Sequence, residues 1–218
     1  MMGHISKPSR IVVAASGSGR SLENLIKAQQ TYRNFKVAGL ISSTHTCRAV
    51  KIAKELELPV LVDQFDGSVS PSKILKDWLN DIRPDWIALA GFLKVFPVEF
   101  KGMVWEHRII NIHPSLLPKF GGKGMYGNRV HQAVIESGEI ETGASIHFVS
   151  SQYDQGQTIA QVKVPVFDND DAQGLAQRVF KAECKLYPQV LSDLIEGDLP
   201  LIGQKIKTCQ FQSSQPTH

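Results

Sequence analysis

Apolar runs rich in β-branched residues alternate, through the first half of the chain, with stretches whose apolar positions recur every three or four residues. Residues 11–15 read as a strand and 22–30 as a helix. Residues 36–41 form a second strand, 48–56 a helix stopped by Pro59, and 59–62 a short third strand. A helix over 74–82 leads to the wholly apolar run 86–90 and then to 108–112. An unbroken apolar run suits a strand covered on both faces. This βαβα order predicts an α/β fold with a doubly wound, mostly parallel sheet.

Beyond residue 140 the pattern changes. Residues 144–149 and 158–166 alternate apolar and polar positions and are joined by the polar stretch 150–157. They predict a C-terminal β-hairpin with a long, exposed loop. A long helix is expected over 170–196, capped by Asp170 with Gln173 and kinked or divided at Pro188. The polar tail 208–218 is expected to fray. Neither a repeat nor a linker interrupts the 218 residues, so one domain is expected over 1–218.

Composition narrows the class. Hydrophobic residues make up 42% of the chain and charged residues 21%, as in ordinary globular proteins. A net charge of +3 is too small to argue for nucleic acid. The apolar run near the middle is far too short to span a bilayer, and residues 1–10 lack an apolar signal region. Cys47, Cys184 and Cys209 are odd in number and far apart, which suggests neither a disulfide framework nor zinc. The expected setting is cytoplasmic.

The densest chemistry lies in Ile110-Asn111-Ile112-His113-Pro114-Ser115-Leu116-Leu117-Pro118. Side chains two apart on a strand share a face, so Asn111 and His113 point the same way. Pro114 ends the strand beside His113. In open α/β sheets, ligands bind at the strands' carboxyl ends. An amide N–H and an imidazole there suit a developing oxyanion and a moving proton. The plain alternative is that both side chains satisfy backbone groups.

Ser16-Gly17-Ser18-Gly19-Arg20-Ser21 joins the first strand to the first helix. Glycines let a ligand approach the backbone, a helix N-terminus favours anions, and Arg20 adds a fork of donors. The alternative is a tight turn without a ligand. Leu22 stands where a dinucleotide fingerprint has its third glycine, and no acidic residue ends the second strand. Asp154, in Tyr153-Asp154-Gln155-Gly156, is a turn residue unless the fold brings it to His113. His147 reads as a core-edge histidine. The glycine-rich stretch 119–127 reads as a mobile loop able to act as a lid.

Together these segments resemble the phosphoribosylglycinamide formyltransferases, within the 10-formyltetrahydrofolate-dependent formyltransferases. The likeness spans roughly residues 11–196 and includes Ala90-Gly91-Phe92-Leu93-Lys94-Val95 and Glu183-Cys184-Lys185-Leu186-Tyr187-Pro188. It implies a Rossmann-like formyltransferase fold. It implies catalysis by Asn111, His113 and Asp154, with protonated His113 facing the formyl oxygen. Folate contacts fall on Leu93, Lys94, Val95, Phe96 and Asn111. Acceptor contacts fall on Gly19, Arg20, Ser21, Leu22, Glu23 and Glu183. The phosphate-binding half would be about 10–105, and the folate and catalytic half about 106–200.

The resemblance also implies 10-formyltetrahydrofolate as co-substrate, no metal, small-molecule partners only, and a monomer or homodimer. Gly19-Arg20-Ser21 replaces the usual Gly-Ser-Asn or Gly-Thr-Asn, and Lys94 stands where arginine is common. No upstream arginine falls within 66–73, and the loop 120–128 is longer than in many members. Sugar-nucleotide N-formyl transfer, formyltetrahydrofolate hydrolysis and a non-catalytic nucleotide-binding module remain as alternatives.

Overall fold

Ile11, Val12, Val13 and Ala14 are all excluded from solvent. Their side chains alternate between two cores, with Ile11 and Val13 in one and Val12 and Ala14 in the other. Two buried faces explain why the sequence shows an apolar run here rather than alternation. The computed structural model describes residues 7–102, 105 and 107–197, together with the backbone of 207–210.

The N-terminal elements are β1 (Ser9–Ala14), α1 (Arg20–Tyr32), β2 (Phe35–Ser42), α2 (Arg48–Glu55), β3 (Val60–Val62), α3 (Lys73–Ile82) and β4 (Trp86–Ala90). There follow β5 (Ile109–His113), α4 (Asn128–Glu136), β6 (Glu141–Phe148), β7 (Thr158–Pro165), α5 (Ala172–Glu196) and β8 (Lys207–Gln210). They build one eight-stranded sheet in the order β3-β2-β1-β4-β5-β6-β7-β8. The pairs from β3 to β5 are parallel, and β6 runs antiparallel to both β5 and β7. Strand order reverses between β1 and β4, which opens a crevice at their carboxyl ends. There the Ser16 N–H donates to the Gly91 carbonyl at 3.1 Å, tying the two loops together.

Both the doubly wound sheet and the hairpin match the sequence expectation. Several details differ. The long helix is capped by Asp171, whose side chain accepts from the Gly174 N–H. Asp170 is drawn instead to Arg178, in a paired contact of 2.6 Å at each oxygen. The expected tail begins with a strand, since Lys207–Gln210 pairs in parallel with β7; residues 211–218 lie outside the described residues. The short helix α4 went unseen in the sequence, where its signal is only Val130 and Val134 one turn apart.

Helix α5 also continues through Pro188 instead of dividing there. Proline has no N–H, so the carbonyl four residues earlier, that of Cys184, loses its helical donor. Asn24 on α1 supplies one, with Nδ2 donating to that carbonyl at 2.9 Å. One residue before the proline, the buried Tyr187 hydroxyl donates to the Leu89 carbonyl at 2.8 Å and so ties α5 to β4.

Asn24→Ala is expected to destabilise the protein by about 1–2 kcal/mol, because it orphans a carbonyl. The loss should shrink in a Pro188→Ala background, where an N–H returns to the helix. Urea unfolding of the four proteins measures this. An equal loss in both backgrounds would remove the carbonyl as the cause.

Candidate active site

β5 ends at His113, where Pro114 can no longer donate to the ladder. Asn111 and His113 point into the same cavity, of about 610 Å³. Across the ladder Asn111 lies in register with His147 of β6. Its Nδ2 sits 3.0 Å from His147 Nε2 and 3.4 Å from Asp154 Oδ1. His147 Nδ1 lies 2.8 Å from the Phe148 carbonyl. A carbonyl only accepts, so Nδ1 carries the proton and Nε2 is left to accept from Asn111. The sequence pattern alone reads His147 as a core-edge histidine. Only the β5–β6 register reveals its place in the cluster.

Asp154 arrives from the hairpin loop with a left-handed backbone, φ 55°. Its Oδ2 accepts from the Gly122 N–H at 2.8 Å and lies 3.5 Å from His113 Nδ1. His113 Nε2 donates to the Phe120 carbonyl at 2.8 Å. The stretch expected to be a mobile lid is thus docked onto the catalytic candidates through Phe120 and Gly122. Gly121 lies between those two anchors. A Cβ there would meet Leu117 Cδ2 at 2.5 Å and Asp154 Cβ at 3.2 Å, so a larger residue would have to displace the Leu117 side chain and press on Asp154.

Electrostatics corrects one expectation. Burial pushes His113 below the ordinary histidine value; Asp154 and the Phe120 carbonyl pull the other way, and His147 adds to the fall. The ring is therefore neutral at rest, not the imidazolium expected from the Asp154 charge alone. The 2.8 Å contact to Phe120 assigns its proton to Nε2 and leaves the Nδ1 lone pair facing Asp154. Burial by itself would raise Asp154. The contacts with His147 and His113, together with the Gly122 N–H, outweigh it and hold the carboxylate low.

A smaller cavity of about 60 Å³ is lined by Lys94, Val95 and Phe96. Asn111 and Asp154 border both cavities, so the cluster stands where they meet. Leu93 borders the larger cavity. The larger cavity is also lined by Gly19, Arg20 and Ser21 from the β1–α1 loop and by Phe180 and Glu183 from α5. The Arg20 guanidinium stacks 4.0 Å from the centre of the Phe180 ring. Burial pushes the half-buried Glu183 carboxyl up to about 7, against the pull of Arg20. Two expected acceptor contacts stand apart from this wall. Leu22 is wholly buried in the core, and the Glu23 carboxylate is bound by Arg48. Among the described residues no group of three or more histidine, cysteine, aspartate or glutamate side chains could hold a metal ion.

Residues 9–191 match the formyl transferase family. The chain is 38% identical over 216 residues to a chloroplastic phosphoribosylglycinamide formyltransferase of Arabidopsis thaliana, covering 93% of this chain and 73% of that one. It is 33% identical over 196 residues to a phosphoribosylglycinamide formyltransferase of Haemophilus influenzae, covering 88% and 90%. The crystal structure of a phosphoribosylglycinamide formyltransferase from Anaplasma phagocytophilum superposes with a TM-score of 0.78 at 29% identity, over 94% of this chain and all of that one.

His131 of α4 borders the larger cavity, is 4% exposed, and has no partner for Nδ1. Burial, then the nearby His113, pushes it from 6.5 down to about 4. Its folded value is depressed, so the unfolded chain binds the extra proton. The associated stability is complete above pH 6.5 and is lost as pH falls toward about 4. The loss should reach about 3 kcal/mol. His131→Gln is expected to flatten this acid slope. Urea unfolding between about pH 7 and about pH 4.5 measures it, and an unchanged slope would rule out His131 as its source.

Proposed function

The chain belongs to the formyl transferase family, and on that premise we propose that it transfers the formyl group of 10-formyltetrahydrofolate to the primary amine of glycinamide ribonucleotide, a step of de novo purine biosynthesis. One observation carries the reading. Asn111, His113 and Asp154 meet where two cavities join, and the larger is also lined by the β1–α1 loop with Arg20, which suits an anion. The flat pterin lies across the junction of the two cavities, between Leu93 on the larger and Val95 and Phe96 on the smaller, with Lys94 at its edge. The loop Gly19-Arg20-Ser21 takes the acceptor's phosphate, with Arg20 braced on Phe180. Glu183 contacts the acceptor between phosphate and amine.

The uncharged amine forms a bond to the formyl carbon, and the bond from that carbon to the folate nitrogen breaks. Negative charge gathers on the formyl oxygen in between. Asn111 faces it as a donor, since its 3.4 Å bond to Asp154 is the longer of its two and the easier to redirect. The His113 Nε2–H becomes the second donor by turning from the Phe120 carbonyl, its 2.8 Å partner at rest, to the formyl oxygen. One such donor is commonly worth about 3–4 kcal/mol. As charge builds, a proton reaching His113 Nδ1 meets the Asp154 carboxylate already beside it. The pair passes the proton lost by the amine to the folate nitrogen that leaves. Ends bound at both cavities hold amine and formyl group in line, which can supply several kcal/mol of the barrier. The free Cys47 and Cys184 support a reducing setting such as the cytoplasm.

Hydrolysis of the same folate is the nearest rival, and the larger cavity favours a second substrate over water. Folate product is expected with glycinamide ribonucleotide and not without an acceptor. Equal release without acceptor would establish hydrolysis, and turnover with nucleotide-linked amino sugars alone would move the acceptor. His113→Ala should fold normally and lose about 10²-fold or more in kcat. Near-normal kcat in a folded variant would remove His113 from the chemistry.

A further inference from the structure

Arg48, the first residue of α2, belongs to no motif singled out in the sequence. Its guanidinium crosses to the β1–α1 loop. Nη1 donates to the Ser18 carbonyl at 2.9 Å and to Glu23 Oε2 at 3.2 Å, and Nη2 donates to Glu23 Oε1 at 2.8 Å. Beside it the Ala49 N–H donates to the Gly17 carbonyl at 3.2 Å. A Cβ on Gly19 would meet Ile52 Cδ1 at 2.7 Å and Ala49 Cα at 2.9 Å. The loop is therefore pressed against the first turns of α2 by successive residues, with the carbonyls of Gly17 and Ser18 both held on the α2 side.

Glu23 gives this clamp an electrostatic meaning. Its carboxylate lies in the first turn of α1, where it complements the helix dipole. The same charge repels a phosphate arriving at that turn. A bidentate guanidinium cancels it. The clamp also keeps the loop carbonyls from turning their own negative ends toward the anion.

Resting on the formyl-transfer reading, we infer that Arg48 is a positioning residue for the acceptor's phosphate. It holds the β1–α1 loop in its anion-receiving shape and neutralises Glu23 without touching substrate. The pair's side chains are 53% and 40% exposed, so the bridge contributes little to global stability. Its effect falls on acceptor binding.

The test is steady-state kinetics of the full chain with glycinamide ribonucleotide and 10-formyltetrahydrofolate. Arg48→Ala should raise KM for the acceptor about 10-fold, with kcat and the folate KM within about 2-fold and the melting temperature nearly unchanged. Arg48→Lys keeps the charge but loses the fork, so it should fall between wild type and Arg48→Ala. Adding Glu23→Gln to Arg48→Ala should recover part of the acceptor KM, because the carboxylate then needs no neutralising. An unchanged acceptor KM in Arg48→Ala would overturn the inference, as would losses in kcat and folate KM that track a fall in melting temperature. A double variant no better than Arg48→Ala would overturn the electrostatic half. A wild-type enzyme that ignores this acceptor would defeat the formyl-transfer reading itself, a result distinct from all of these.

Discussion

The Asp154 carboxylate is the joint on which the candidate site depends. It gathers β5 through Asn111 and His113, β6 through His147, and the glycine-rich loop through the Gly122 N–H. The residue is held in a left-handed backbone that carries a cost for any side chain with a Cβ. A charge this deep needs hydrogen-bond donors, and the Asn111 amide and the Gly122 N–H reach it from different stretches of chain. The arrangement is therefore cooperative: removing the carboxylate would orphan an N–H and free two imidazoles together. Its low protonation state and the neutrality of His113 are two sides of one buried environment.

Around that joint, sheet topology decides what can meet. The reversal of strand order between β1 and β4 leaves a crevice at their carboxyl ends. One side of the crevice receives the β1–α1 loop, with Arg20 and the N-terminus of α1. Next to β4, β5 delivers Asn111 and His113 at the same level. Anion-suited and proton-handling groups thus come from separate strands, and a single cavity holds both.

Helix α5 serves core and cavity at once. Leu175, Val179, Ala182 and Leu191 are buried in the larger core, while Phe180 and Glu183 border the cavity. Tyr187 and Asn24 fasten the helix where Pro188 weakens it. These bonds hold Phe180 under the Arg20 guanidinium and set the depth at which Glu183 is desolvated. Packing energy in the core is thereby coupled to the geometry of the acceptor wall.

Much of this was legible in the chain. Apolar runs and amphipathic stretches are local properties, and they determined the doubly wound sheet, the hairpin and the long helix. The two-residue spacing of Asn111 and His113 determined that they share a face, because strand side chains alternate. The resemblance in the motifs pointed to Asp154 and to the loop at Gly19. What the chain could not express were relations between distant residues. His147 joins Asn111 only through the β5–β6 register, and Arg48 meets Ser18 and Glu23 only because β1 and β2 are neighbours. The same holds for protonation. Asp154 beside His113 suggested an imidazolium, but the burial that reverses this belongs to the folded molecule, since desolvation depends on everything packed around the ring.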